Sequence, residues 1–277
     1  MTAPIPIKLA PVLQRARGIL NITASRAPKD ITRLKDLHQQ ASYRAIFPKT
    51  TGTSVEAVII NTAGGVTGGD KFSTSITAYE NAQISITTQA AERIYRSADE
   101  KAGTIKTTLY AESSAQLYSL PQETILFDGA RLERRFDVNL HRNAKFLMVE
   151  PLVFGRRDSG ETLTTGLLDD LISIRIDGKR SYLDRIKLEG KINKMLNRAA
   201  LGSKAGAMAS IILIDLHAKS LLKSVRGLLP SNGGASLLTD TILVMRILST
   251  DSYQMRSTLV PILNLLTENA IPKNWRL

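Results

Sequence analysis

From Val55 to about Glu189, apolar and polar residues alternate with a period of two. The pattern falls in short runs: Val55–Asn61, Ser73–Ala78, Gln83–Thr88, Thr104–Tyr110, Ala115–Leu120, Glu133–Leu140, Ala144–Glu150, Thr162–Leu167, Ile172–Ile176 and Ser181–Leu188. Alternation of this kind sends successive side chains to opposite faces of an extended backbone, so each run reads as a half-buried strand. The runs are separated by Gly64-Gly65, Asn81-Ala82, Asp128-Gly129 and Asp177-Gly178. The last is a hairpin signal, because Asp-Gly accepts positive φ at both central positions. The expectation is a mainly β fold of many short antiparallel strands rather than a βαβ repeat.

The texture changes after Gly190. Residues 191–209 are rich in Lys, Asn, Gly and Ala and read as a basic connection, with a short basic helix over Lys191–Ala200 as the alternative. Beyond it the order is strand, helix, strand, helix. Ser210–Leu216 is continuously apolar, and Leu221, Leu222, Val225, Leu228 and Leu229 recur at helical spacing. Thr241–Leu248 is a second strand, and Asp251 or Ser252 caps a helix that buries Met255, Leu259, Ile262, Leu263 and Leu266. The expected organisation is a β-rich scaffold over 1–190, the connection, and a small α+β portion over 210–277 with about two helices, packed together as one unit.

Cysteine is absent, which removes disulfides, a catalytic thiol and thiolate metal ligation from consideration. The three histidines, His38, His141 and His217, are far apart in sequence and never at the i, i+4 spacing of a helical metal pair. No apolar run approaches the roughly 20 residues of a membrane helix, and a cytoplasmic protein is expected. Net charge is +12. Between Arg175 and Arg226 there are 12 basic residues against 4 acidic ones, yet Tyr182 is the only aromatic in that segment. A basic surface without stacking platforms suits a protein partner better than nucleic acid.

Four glycine- and arginine-bearing turns carry the remaining information. They are Gly64-Gly65-Val66-Thr67-Gly68-Gly69-Asp70; Thr87-Thr88 leading to Tyr95-Arg96-Ser97; Pro121-Gln122-Glu123 running into Phe127-Asp128-Gly129-Ala130; and Gly155-Arg156 followed by Ser159-Gly160-Glu161. With Gly234-Ala235-Ser236 and the terminal Trp275-Arg276, they resemble, collinearly from about Asn61 onward, the urease accessory protein family UreD/UreH.

The resemblance implies a non-enzymatic maturation factor. Such a factor binds UreF-like and UreG-like (GTPase) accessory proteins, docks on apo-urease and routes nickel through an internal polar path, holding no tightly bound cofactor and contacting no membrane. It makes Asp70, Glu150 and Asp184 candidates for transient nickel contacts. On the residues alone, Asp70 equally caps its turn. Glu150, ending an apolar strand, and Asp184 equally form salt bridges, with Arg156 or Arg185 as partners. Gln122 and Glu123 read as shape-determining residues, and Arg156 and Glu161 as a pair holding the Ser-Gly turn. Isolated carboxylates and hydroxyls suit a cation in transit, because an imidazole or thiolate cage would hold nickel too tightly.

Two other classes, an enzyme and a nucleic-acid binder, find less support in the residues. A phosphate-binding enzyme fails because no Lys-Ser/Thr follows the glycines and Asp70 repels phosphate, and a serine hydrolase lacks a Gly-x-Ser-x-Gly elbow. A nucleic-acid binder rests on charge alone.

Overall fold

The computed structural model describes residues 14–50, 52–156, 160–202 and 204–276. Arg157, Asp158 and Ser159 of the fourth turn lie outside the described residues. The chain is mainly β, and the described residues hold two long α-helices and one of five residues.

The strands are β1 (Arg17–Ala27), β2 (Ile31–Ala41), β3 (Tyr43–Ile46), β4 (Val55–Asn61), β5 (Lys71–Ala78), β6 (Gln83–Thr88), β7 (Glu92–Ile94), β8 (Gly103–Ala111), β9 (Gln116–Ser119), β10 (Thr124–Leu126), β11 (Arg131–Leu140), β12 (Lys145–Phe154), β13 (Gly166–Ile176) and β14 (Lys179–Gly190), then β15 (Ala207–Ile214), β16 (Gly233–Thr239) and β17 (Ile242–Ser249). A seven-stranded sheet runs β14-β13-β11-β8-β5-β1-β2. A ten-stranded sheet runs β16-β17-β15-β12-β9-β6-β4-β3, with β10 and β7 beside it.

The expectation of antiparallel pairing is corrected for the middle of both sheets. There β5, β8, β11 and β13 pair in parallel, as do β4, β6, β9 and β12. Except at β6–β7 and β9–β10, which stay in the ten-stranded sheet, and at the β13–β14 hairpin, each connection from β4 to β14 carries the chain across to the other sheet. Strands joined by a turn therefore face each other through side chains, and the hydrogen-bonded neighbour is the equivalent strand of the next coil. One inward face per strand produces the same period-two pattern in either arrangement, so alternation alone cannot separate them. Asp177-Gly178 is a true hairpin within one sheet: both residues have positive φ, 49° and 76°, and β13 pairs antiparallel with β14.

The inward faces of the two sheets form the main core, with Leu20, Ile76, Leu109, Leu132 and Ile174 meeting Ile84, Leu117, Phe146 and Met148. A second core lies on the far side of the ten-stranded sheet. Helices α2 (Ala218–Leu228) and α3 (Ser252–Leu266) cover that side, burying Met255, Leu259 and Ile262 against Leu147, Ile211 and Leu243. Strand β15 is thus buried along its whole length, which explains a sequence apolar at every position but Ser210. Because β15 pairs with β12, the C-terminal portion continues the scaffold's own sheet. Asp251 is the N-cap of α3, accepting from Gln254 N at 2.8 Å. The short α1 (Ile192–Leu196) occupies part of the basic connection.

Several boundaries differ from expectation. Residues 162–165 are a turn rather than a strand, because Asp128 Oδ1 accepts from Thr164 N and Thr165 N at 2.8 and 3.0 Å and draws that backbone out of any ladder. Gly233-Gly234 opens a further strand, β16, between α2 and β17, where the expected order of strand, helix, strand, helix has none.

Candidate functional site

The sequence motifs are mostly one structural feature, a stack of turns at one end of the coil. The turns leaving β4, β7, β10 and β12 lie on one another: Tyr95 N donates to Val66 O at 2.8 Å, Ser97 N to Gly129 O at 3.0 Å and Gly129 N to Thr165 O at 2.9 Å. Contact between successive turns explains the glycines. A Cβ on Gly65 would fall 2.3 Å from the Tyr95 ring, and one on Gly68 would fall 1.9 Å from Ser97 Oγ. Gly64 and Gly69 both have positive φ, 75° and 85°.

Asp70 belongs to this stack. Its Oδ1 accepts from Ala16 N and its Oδ2 from Thr67 N, both at 2.8 Å, so both carboxylate oxygens serve backbone donors. Arg156 and Glu161 pair at 2.6 Å, as the residues suggested, and Glu161 Oε1 also accepts from Asp128 N at 3.1 Å. The Arg156 guanidinium lies 4.3 Å from the Phe127 ring centroid.

Gln122 and Glu123 tie the scaffold to the C-terminus. Arg256 Nη1 donates to Gln122 Oε1 at 2.9 Å and to Glu123 Oε1 at 3.1 Å, while Nη2 donates to Asn274 O at 2.6 Å. Buried Trp275 donates from Nε1 to Leu120 O at 2.8 Å, and Asn274 Nδ2 donates to Thr87 Oγ1 at 3.2 Å.

A cavity of about 90 Å³ lies between the sheets, at the level where the chain breaks between β6 and β7 and again between β9 and β10. Thr74, Thr107 and Arg134 line it from the seven-stranded sheet, and Thr87, Ser119 and Glu150 from the other. A second cavity of about 210 Å³ shares Tyr43, Ile59, Thr88 and Glu92 with the first and reaches Asn61, Gly64 and Arg93. Glu92 therefore stands where the two adjoin.

Glu150, 3% exposed, has the same parity on β12 as Phe146, Met148 and Leu152, which face the inter-sheet core. Its Oε2 lies 2.8 Å from Nη1 of Arg134, a contact outside hydrogen-bond alignment, and neither Glu150 oxygen has a hydrogen-bond partner among the described residues. Arg134 is instead gripped from the other side. Its Nε donates to Asp170 Oδ1 at 3.0 Å, its Nη2 to Asp170 Oδ2 at 2.6 Å, and its Nη1 to Thr124 Oγ1 at 3.1 Å. Burial pushes the Glu150 carboxyl up to about 8, a rise that Arg134 opposes and Asp170 reinforces. Burial likewise raises Glu92 to about 6, against the hydrogen bonds from Asn61. Asn61 Nδ2 reaches its oxygens at 3.2 and 3.1 Å.

Of the three candidate nickel contacts, only Glu150 lines the cavity. Asp70 is in the turn stack, and Asp184, on edge strand β14, forms an ion pair with Arg246 of the other sheet. The guesses for ion-pair partners are corrected too: Glu150 faces Arg134, and Arg185 is bound to Asp169. Arg134, Asp170 and Glu92 were missed. The first two carry a legible signal, since each occupies an inward position in its strand, Arg134 between Leu132 and Phe136 and Asp170 between Leu168 and Ile172. Glu92 sits on a three-residue strand too short to show a period. Among the described residues, no group of three or more His, Asp or Glu is gathered to hold a metal ion, and no helix is long and apolar enough to cross a membrane.

The fold is a coil of strands closed by stacked glycine turns around an inter-sheet cavity, and comparison with known proteins gives its class as the urease accessory proteins. The family model described as UreD urease accessory protein matches residues 16–276. The urease accessory protein UreD of Roseobacter denitrificans is 41% identical over 263 residues, covering 95% of this chain and 96% of that protein. Those of Ruegeria pomeroyi (42% over 242 residues, 87% and 94% covered) and Rhizobium rhizogenes (40% over 266 residues, 95% and 96% covered) are similar as well. The chain belongs to the UreD family, and its role is in urease maturation.

Proposed function

We propose that the chain is a non-enzymatic scaffold that routes nickel to apo-urease through the space between its two sheets, acting with UreF-like and UreG-like (GTPase) partners. The observation that carries this reading is the inter-sheet cavity, with the Glu150 carboxyl on its wall and Glu92 where it meets the second cavity.

The chemistry suits a cation in transit. Protein interiors are normally close-packed and apolar, so hydroxyls and an unpartnered carboxylate around a void need water or an ion to satisfy them. Carboxylates that are not gathered into a ligand cluster among the described residues, with threonine and serine oxygens on the same wall, bind a divalent cation weakly enough to release it. A Glu150 with its carboxyl raised to about 8 carries a proton near neutral pH, so an arriving cation exchanges with that proton. Arg134 stays charged, held by Asp170, and opposes deep trapping of the cation at Glu150.

The test is urease activation titrated against nickel with wild-type chain and Glu150→Gln, which keeps the side chain's shape and removes its capacity to ionise. The expected result is an intact accessory assembly with activation displaced to higher nickel. Superimposable curves would contradict the reading.

A further inference from the structure

The outer face of the seven-stranded sheet carries an arrangement that the fold itself disfavours. In the registers of β11, β8, β5 and β1, Arg135 lies directly opposite Lys106, and Lys71 directly opposite Arg17. All four side chains are exposed, and neighbouring strands are about 4.8 Å apart. Like charges placed opposite each other on adjacent strands destabilise a sheet. Here two such pairs stand side by side, offset by two residues along β5, and none of the four is within ion-pairing distance of a carboxylate among the described residues. The nearby Asp169 is engaged by Arg185, whose Nε and Nη2 donate to it at 2.8 and 2.6 Å.

We propose that this face, centred on Arg135, Lys106, Lys71 and Arg17, is a docking surface for an acidic protein. The free chain bears the repulsion, and carboxylates of a partner would relieve it, so complementarity of charge is strongest where the sheet is least content alone. A protein is favoured over nucleic acid by what lies beside the cations. Glu133 shares β11 with Arg135, two residues away on the same face, and Asp169 is its cross-strand neighbour on β13. Carboxylates at those positions repel a continuous run of phosphates, whereas a protein surface can place its own charges to suit. The assignment rests on the maturation-scaffold reading only for the source of the acidic face, a member of that assembly.

The experiment uses the full chain with poly-L-glutamate as the probe and a DNA duplex of matched charge as the comparison. Lys106→Gln/Arg135→Gln removes two charges from the face, while Lys194→Gln/Lys223→Gln removes two exposed charges from α1 and α2. The expected result is binding to poly-L-glutamate weakened about tenfold by the first variant, the loss of two exposed ion pairs, and nearly unchanged by the second. The face variant is also expected to melt no lower than wild type, because it relieves repulsion. Equal weakening by both variants, or tighter binding to DNA than to poly-L-glutamate, would overturn the proposal. Recovery of apo-urease and partner proteins with the wild-type chain tests the maturation reading separately. A face variant that loses poly-L-glutamate yet recovers them as wild type does would overturn the assignment of the acidic face to that assembly.

Discussion

Arg134 and Glu150 meet at 2.8 Å across the space between the two sheets, one on each wall of the cavity. The contact joins strands of different sheets that share no hydrogen-bonded ladder. It places a fixed cation beside a carboxyl whose charge is negotiable, with Asp170 holding the cation in place.

Removing the cation should be costly. Arg134→Met is expected to destabilise the fold by about 3–5 kcal/mol, since it leaves Asp170 buried without its bidentate partner. Urea unfolding measures this, and a loss below about 1 kcal/mol, the scale of an exposed pair, would mean that the triad is hydrated rather than buried.

The pH dependence of stability reports on Glu150 itself. Its carboxyl is raised from 4.5 to about 8 in the folded chain, so between those values the folded state holds a proton that the unfolded state has released. The contribution is therefore full below about 4.5 and declines as pH rises toward 8. Glu150→Gln has no such decline. Melting temperatures of variant and wild type are expected to lie close at pH 5 and to separate by pH 8.5, with the variant higher; parallel curves would contradict the burial of this group.

Asp70 separates structure from routing. Both its oxygens accept backbone N–H groups, so Asp70→Asn turns one acceptor into a donor facing a donor and should cost about 1–2 kcal/mol. Nickel titration of urease activation, run at a temperature where the variant is folded, is expected to match wild type. A displaced curve would put Asp70 back among the nickel contacts.

The strands of the scaffold were legible because most alternate in sequence between an inward and an outward face, and runs such as Val55–Asn61 and Gln83–Thr88 coincide with β4 and β6. Their partners were not, since a turn that crosses between sheets and a turn that closes a hairpin use the same glycine and aspartate chemistry. Strand β2 escaped notice for a different reason. Edge strand β2 is exposed at every residue except Thr32, so it shows no buried face to read. For the site, Glu150 was legible as a carboxylate in an apolar strand, but Arg134 and Asp170 become its neighbours only through the parallel register of β11 and β13. Asp184 looked equivalent in sequence, and only the sheet order places it at an edge.

The most direct measurement is the nickel content of urease matured with the cavity narrowed. Thr107 faces the cavity from β8, and its neighbour Thr108 points to the opposite side of the same strand. Thr107→Leu fills space and removes a hydroxyl, while Thr108→Leu makes the same change outside. With both variants assembled on apo-urease, the account predicts fewer nickel ions per urease active site for Thr107→Leu and wild-type loading for Thr108→Leu. Full loading with Thr107→Leu would contradict it.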